Sequence, residues 1–222
     1  MDRILFELLP YAAVAVAIVE CVRRYVKNRF TYSSLSSQFL EGENLFLGSV
    51  PWHYCIMLVL LGHLVAFLIP ERVLAFNAVP VRLYILEVAG LACGLTALIG
   101  LIGLAVRRAT SARVRAVTSP MDIVILAVLL LQVGLGVYIA LTLRWGSSWF
   151  AVALVPYLRS LFAFQPDASL LSVLPLAVKL HVLGAFVLVG LLPFSRLVHA
   201  LVVPWQYLWL RPQLVIWNRR PQ

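Results

Sequence analysis

Five long apolar stretches are spaced along the chain, separated by shorter segments that collect most of its prolines and charges. Each is long enough for a helix of about 20 residues, the length that crosses the hydrocarbon of a membrane. The first covers residues 4–22, with Glu7 and Glu20 near its two ends. The second, 52–70, carries no formal charge, and the third, 83–106, carries only Glu87. The fourth covers 123–143, and the fifth covers 176–203, running past Pro193 towards Pro204. A further apolar stretch, 145–164, is interrupted by Gly146, Pro156 and Arg159. Its mixture of Trp145, Trp149, Tyr157 and Arg159 suits headgroup depth, so it is expected to be an interfacial or re-entrant piece, not a sixth span. The pattern predicts an all-α polytopic membrane protein with five transmembrane helices, forming one integral-membrane domain over residues 1–222.

Composition agrees with this. The 222 residues are 63% apolar and 12% charged, with a mean hydropathy of +0.97. Soluble domains sit nearer 45–50% apolar and about 25% charged. No basic leader with a short apolar region and a small-residue cleavage site opens the chain, so it reads as mature from Met1. Cys21, Cys55 and Cys93 stand alone. No C-x-x-C pair suggests zinc or an iron–sulfur cluster, and no C-x-x-C-H suggests a thioether-linked haem.

The net charge of +9 is not a nucleic-acid signal, because the cations cluster at the ends of the apolar stretches. One side of the five-span layout holds Arg23, Arg24, Lys27, Arg29, Arg107, Arg108, Arg113, Arg115, Arg196, Arg211, Arg219 and Arg220. The other holds Arg3, Arg72, Arg82, Arg144, Arg159 and Lys179. The richer side is expected to be cytoplasmic, which puts the N-terminus outside and the C-terminus inside.

The chain has four histidines, His53, His63, His181 and His199, and all fall in or at the ends of the second and fifth spans. Ionisable groups in apolar helices are costly and mark function, and neutral imidazole is a common axial ligand of haem iron. The two spans run in opposite directions, so His63 is level with His181 near the outer face and His53 with His199 near the inner one. Two bis-histidine haem sites are the reading this spacing supports. Ten residues rise about 15 Å and eighteen about 27 Å on a straight helix, a mismatch for tilt or a bend at Pro193 to absorb. Gly62, Gly184 and the third-span Gly90, Gly94, Gly100 and Gly103 admit either of two roles, close approach of a macrocycle or plain helix packing.

The stretches W-H-Y-C-I-M-L-V-L-L-G-H-L (52–64) and K-L-H-V-L-G-A-F-V-L-V-G-L-L-P-F-S-R-L-V-H (179–199) resemble the gamma, or cytochrome b, subunit of membrane-bound respiratory nitrate reductase. So do Y-S-S-L-S-S-Q-F-L (32–40) and S-A-R-V-R-A-V-T-S-P-M-D-I-V-I-L (111–126). The resemblance implies five spans, an external N-terminus and two b-type haems. It implies that His63 and His181 hold the distal haem and His53 and His199 the proximal one. It also implies a quinol site beside the distal haem, with Gly62 close by and Arg82 where the family carries a Lys. Arg is a planar fork and Lys a point donor, so this is a departure. Snorkelling of Arg82 to the outer headgroups is the competing reading.

The function expected is quinol oxidation near the outer surface, with electrons passed inward to partners on the cytoplasmic face. The resemblance implies an iron–sulfur beta subunit and a molybdopterin-bearing alpha subunit that reduces nitrate. The partners expected besides these are membrane quinol and lipid, with no nucleic acid. Trp205, Tyr207, Trp209 and Trp217 suit either partner contact or the membrane interface. The basic loop 107–115 could meet haem propionates or anionic lipid. Two alternatives stay open: a haem-b quinone module of a sulfite-reductase- or heterodisulfide-reductase-type complex, and a haem-free membrane scaffold or transport protein.

Overall fold

The structure is a computed structural model that describes residues 3–28, 31–32 and 43–201. Its elements are α1 (Ile4–Asn28, opening with a π turn), α2 (Glu43–Leu68), α3 (Pro70–Asn77), α4 (Pro80–Thr110), α5 (Ala112–Ala116) and α6 (Pro120–Thr142). They continue with α7 (Gly146–Trp149), α8 (Val155–Phe162) and α9 (Leu176–Leu191). Five helical segments among the described residues are long and apolar enough to span a membrane: Ile4–Asn28, Leu47–Leu68, Pro80–Thr110, Pro120–Thr142 and Leu176–Phe194. They are the five expected spans.

Proline sets several of the boundaries. Pro70, Pro80 and Pro120 sit in the first turns of α3, α4 and α6, where a missing N–H costs nothing. A reciprocal cap completes the start of α6: Ser119 Oγ accepts from the Asp122 amide, and the Asp122 carboxylate accepts from the Ser119 amide. At their other ends α1 and α4 outrun the apolar pattern. Lys27, and Arg107 with Arg108, occupy the last turns, where cations face the negative end of the helix dipole.

The fifth span departs from expectation. It does not run as one helix to residue 203; α9 ends at Leu191, a 3₁₀ turn follows over Leu192–Phe194, Ser195 is extended (φ −117°, ψ 177°), and a second 3₁₀ segment covers Arg196–Leu201. Pro193 lacks an N–H and crowds the preceding turn, so the α-helix cannot continue through it. His199 therefore lies beyond a change of direction, and the straight eighteen-residue rise does not apply.

The helices pack in a row in which α2 lies on α4, α4 on α6, α6 on α9 and α9 on α1. Among the described residues α2 and α9, the two histidine-bearing spans, do not pack along each other. The α2–α4 contact is backbone-close: a Cβ on Gly100 would lie 2.7 Å from the Gly48 carbonyl oxygen and 2.9 Å from the Trp52 nitrogen. The interrupted stretch after α6 folds as α7, a π turn and α8, and is too short to span by itself. It closes one end of the bundle against α1. Tyr157, fully buried, donates to the Phe6 carbonyl at 2.7 Å, and Tyr11 donates to the Leu161 carbonyl at 2.8 Å. Burial, followed by the neighbouring Tyr11 and Glu7, raises the Tyr157 phenol pKa, so it stays a donor.

Candidate functional site

The four histidines share one local arrangement. His53 Nδ1 lies 2.7 Å from the Ser49 carbonyl, and His63 Nδ1 lies 2.8 Å from that of Val59, each one turn back in α2. His181 Nδ1 reaches across to the Gln132 carbonyl of α6 at 3.1 Å, and His199 Nδ1 lies 2.6 Å from the Arg196 carbonyl. A carbonyl can only accept, so each Nδ1 carries a proton and Nε2 is the nitrogen left to face a ligand; at His181 the Gln132 side-chain amide stands 3.5 Å from it. That is the tautomer a metal needs, with the second nitrogen oriented by a backbone partner.

The His53 and His199 rings have centroids 6.2 Å apart. Two imidazoles on opposite sides of one metal, with bonds of about 2 Å from each nitrogen, have centroids roughly 6–6.5 Å apart. The His63 ring meets Phe150 edge-on, with centroids 5.3 Å apart. Among the described residues no cluster of three or more His, Cys, Asp or Glu gathers. A set of two imidazoles suits an iron whose remaining positions are filled by a macrocycle. The residues present thus fit two haems.

The supports of the two pairs were not apparent from the sequence. At the His63/His181 end, α6 holds His181 twice: the Gln132 carbonyl accepts from the ring, and the Gln132 amide donates to the His181 carbonyl at 2.9 Å. Gly136 makes the approach possible, because a Cβ there would stand 3.1 Å from His181 Cε1. Gly184 has a packing role, since a Cβ there would collide with Gln132 Oε1. At the His53/His199 end, Asp122 is only 4% exposed. Its carboxylate takes a forked contact from Arg196 at 2.6 and 2.9 Å and a second cation, Arg108, at 3.3 Å. Arg24 donates to the carbonyls of Pro193 and Ser195 at 2.6 and 3.1 Å, fastening the bend itself. The S-P-M-D capping signal was the one readable trace of this group.

Other expected residues fall out as follows. Arg82 is exposed on the first turn of α4, with its guanidinium 5.6 Å from the centre of the Phe76 ring. Among the described residues, a Cβ on Gly62 or Gly90 would meet no atom from beyond its own stretch of helix within 4 Å. In the basic loop, Arg107 is buried and Arg108 points to Asp122, while Arg113 and Arg115 are exposed. Trp205, Tyr207, Trp209, Trp217, Arg29, Arg211, Arg219 and Arg220 lie outside the described residues.

Residues 2–218 match the family model described as nitrate reductase gamma subunit. The chain belongs to this family. It is 35% identical over 210 residues to the nitrate reductase gamma chain of Bacillus subtilis, covering 93% of this chain and 94% of that one. To the respiratory nitrate reductase 1 gamma chain of Escherichia coli it is 33% identical over 221 residues, covering 97% of each. It is also 30% identical to the nitrate reductase-like protein NarX of Mycobacterium tuberculosis, where the match covers 99% of this chain but 34% of that protein. The sequence-based resemblance to nitrate reductase gamma subunits is therefore correct, and this gamma-family chain is a multi-pass membrane protein.

Proposed function

We propose that this gamma-family chain is a di-haem b, quinol-oxidising membrane subunit, in which His63 and His181 hold one haem and His53 and His199 the other. The carrying observation is that all four Nδ1 atoms sit on backbone carbonyls, which leaves Nε2 as the nitrogen for a ligand, together with the 6.2 Å separation of the His53 and His199 rings. When bound, the haems supply one-electron redox chemistry, so that a quinol losing two electrons and two protons at one membrane face can deliver electrons to an acceptor at the other.

This chain's residues do the rest. The cation count puts the His53/His199 end at the cytoplasmic face and the His63/His181 end outside. Arg82, at the start of α4, holds the quinol oxygen, and bare Gly62 leaves room beside His63. Electrons leave at the His53/His199 end to an iron–sulfur beta subunit, and from there to a molybdopterin alpha subunit that reduces nitrate. The gamma-chain names of the relatives support this assembly, as each is one chain of a nitrate reductase.

The purified complex tests this through its reduced-minus-oxidised absorption spectrum and through reduction by a quinol analogue. Two b-type haems reducible by quinol are expected; a spectrum without them removes the proposal. Arg82→Ala should weaken quinol-driven turnover roughly ten- to a hundred-fold, the worth of a charged hydrogen bond of about 1.5–3 kcal/mol, while Arg82→Lys keeps much of it. Normal quinol oxidation by both variants would leave Arg82 a headgroup contact.

A further inference from the structure

We infer that Asp122 is a positioning residue for the inner haem site, acting on His199 through Arg196. The inference rests on the di-haem reading above. His199 sits on the 3₁₀ segment Arg196–Leu201, beyond the bend that ends α9. Its ring is tied by Nδ1 to the carbonyl of Arg196, so the ring's placement follows from where the Arg196 backbone is held. The Arg196 side chain is anchored from α6 and the loop before it: two contacts to the Asp122 carboxylate and one to the Val117 carbonyl at 3.0 Å.

Asp122 cannot move away from this contact. Its carboxylate also caps its own helix by accepting from the Ser119 amide at 2.9 Å, and its residue is almost wholly enclosed. A planar guanidinium on a fixed carboxylate defines an orientation as well as a distance, which a single point charge would not. Ser195 completes the device: it is 4% exposed, and its Oγ accepts from the Leu197 amide at 3.2 Å, starting the 3₁₀ segment. The chain of contacts from helix α6 to the imidazole is thus Ser119, Asp122, Arg196, His199. It bypasses α9, the element that carries the histidine in the sequence order.

Outer partners of metal-ligating histidines change metal retention roughly ten- to a hundred-fold when removed. The test is haem content and a redox titration of the whole complex in membranes, comparing Asp122→Asn, Asp122→Glu and Arg196→Lys with the unsubstituted protein. Two haems in the unsubstituted protein keep the di-haem reading in place whatever the variants do. Asp122→Asn is expected to lose the His53/His199 haem severalfold or more, or to broaden and shift its titration, with the His63/His181 haem retained as the internal control of folding. Arg196→Lys keeps the charge but not the fork, and should show the same selective loss in weaker form. Asp122→Glu keeps both the cap and the charge and should recover most of the inner haem. Unchanged inner haem in both Asp122→Asn and Arg196→Lys would overturn the inference, and so would equal loss of both haems in either.

Discussion

The two ends of the bundle hold their histidines by different physics. At the His63/His181 end both rings stand on regular α-helices, and the fit is made by shape: α6 presents Gly136 so that an imidazole can reach its backbone. Around it lies an apolar cluster that includes Phe6, Leu154, Tyr157, Leu161, Val178 and Val182. At the His53/His199 end one histidine has left its helix, and the fit is made by charge. A single buried carboxylate gathers Arg196 and Arg108, and Arg24 ties the bend. Packing holds a ligand by excluding other positions, so it tolerates little added volume. An ion network holds a ligand by direction, so it tolerates volume but not loss of charge or fork geometry.

The sharpest way to break this comparison is to remove one ligand at a time. His63→Ala or His181→Ala should eliminate one haem of the two and leave the other, and His53→Ala or His199→Ala should do the reverse. Haem stoichiometry and the spectrum of the surviving haem in each variant are the measurement. If His63→Ala and His199→Ala abolished the same haem, the two ends would not be separate sites.

A smaller effect separates shape from charge. Gly136→Val places side-chain atoms where the His181 ring now stands, and overpacking of this kind costs about 1–3 kcal/mol. It should deplete the His63/His181 haem while the other keeps its titration. Insensitivity of both haems would mean that α6 does not set the position of His181.

The smallest expected effect concerns the cap on that same end. Tyr157→Phe deletes the buried hydroxyl that donates to the Phe6 carbonyl, leaving that acceptor without this donor, a loss of about 1–3 kcal/mol. Thermal inactivation in detergent should move to lower temperature with haem content at rest unchanged. A variant as heat-resistant as the parent would show that α8 contributes little to closing the bundle.

Much of this was legible in advance because the signals are local. Hydropathy over about 20 residues locates a span wherever it ends up packing, and of the pairings expected from the opposite direction of the second and fifth spans, the His53 and His199 rings lie 6.2 Å apart. The helix overruns at Lys27 and Arg107–Arg108 were less legible, since charged residues end an apolar window without ending a helix. Arg108, read as a loop charge, turns inward to a buried carboxylate fourteen residues away in the sequence, and Arg107 is buried beside it in the chain.

What the sequence determined by itself is the number of spans, their order and the approximate place of each. All follow from backbone chemistry and from the low polarity of the surroundings. Only the tertiary structure decided that Gly136 opens α6 to His181, that Gly184 makes room for Gln132, and that Asp122 anchors the residue from which His199 hangs. These depend on which helix faces which. A glycine in a span has the same local signature whether it admits a ring, a neighbouring helix or nothing, and a carboxylate that caps a helix does not announce its second partner. The direction in which the chain leaves the bend at Pro193 was settled by Arg24 and Asp122, two groups distant in sequence that meet it only in the folded bundle.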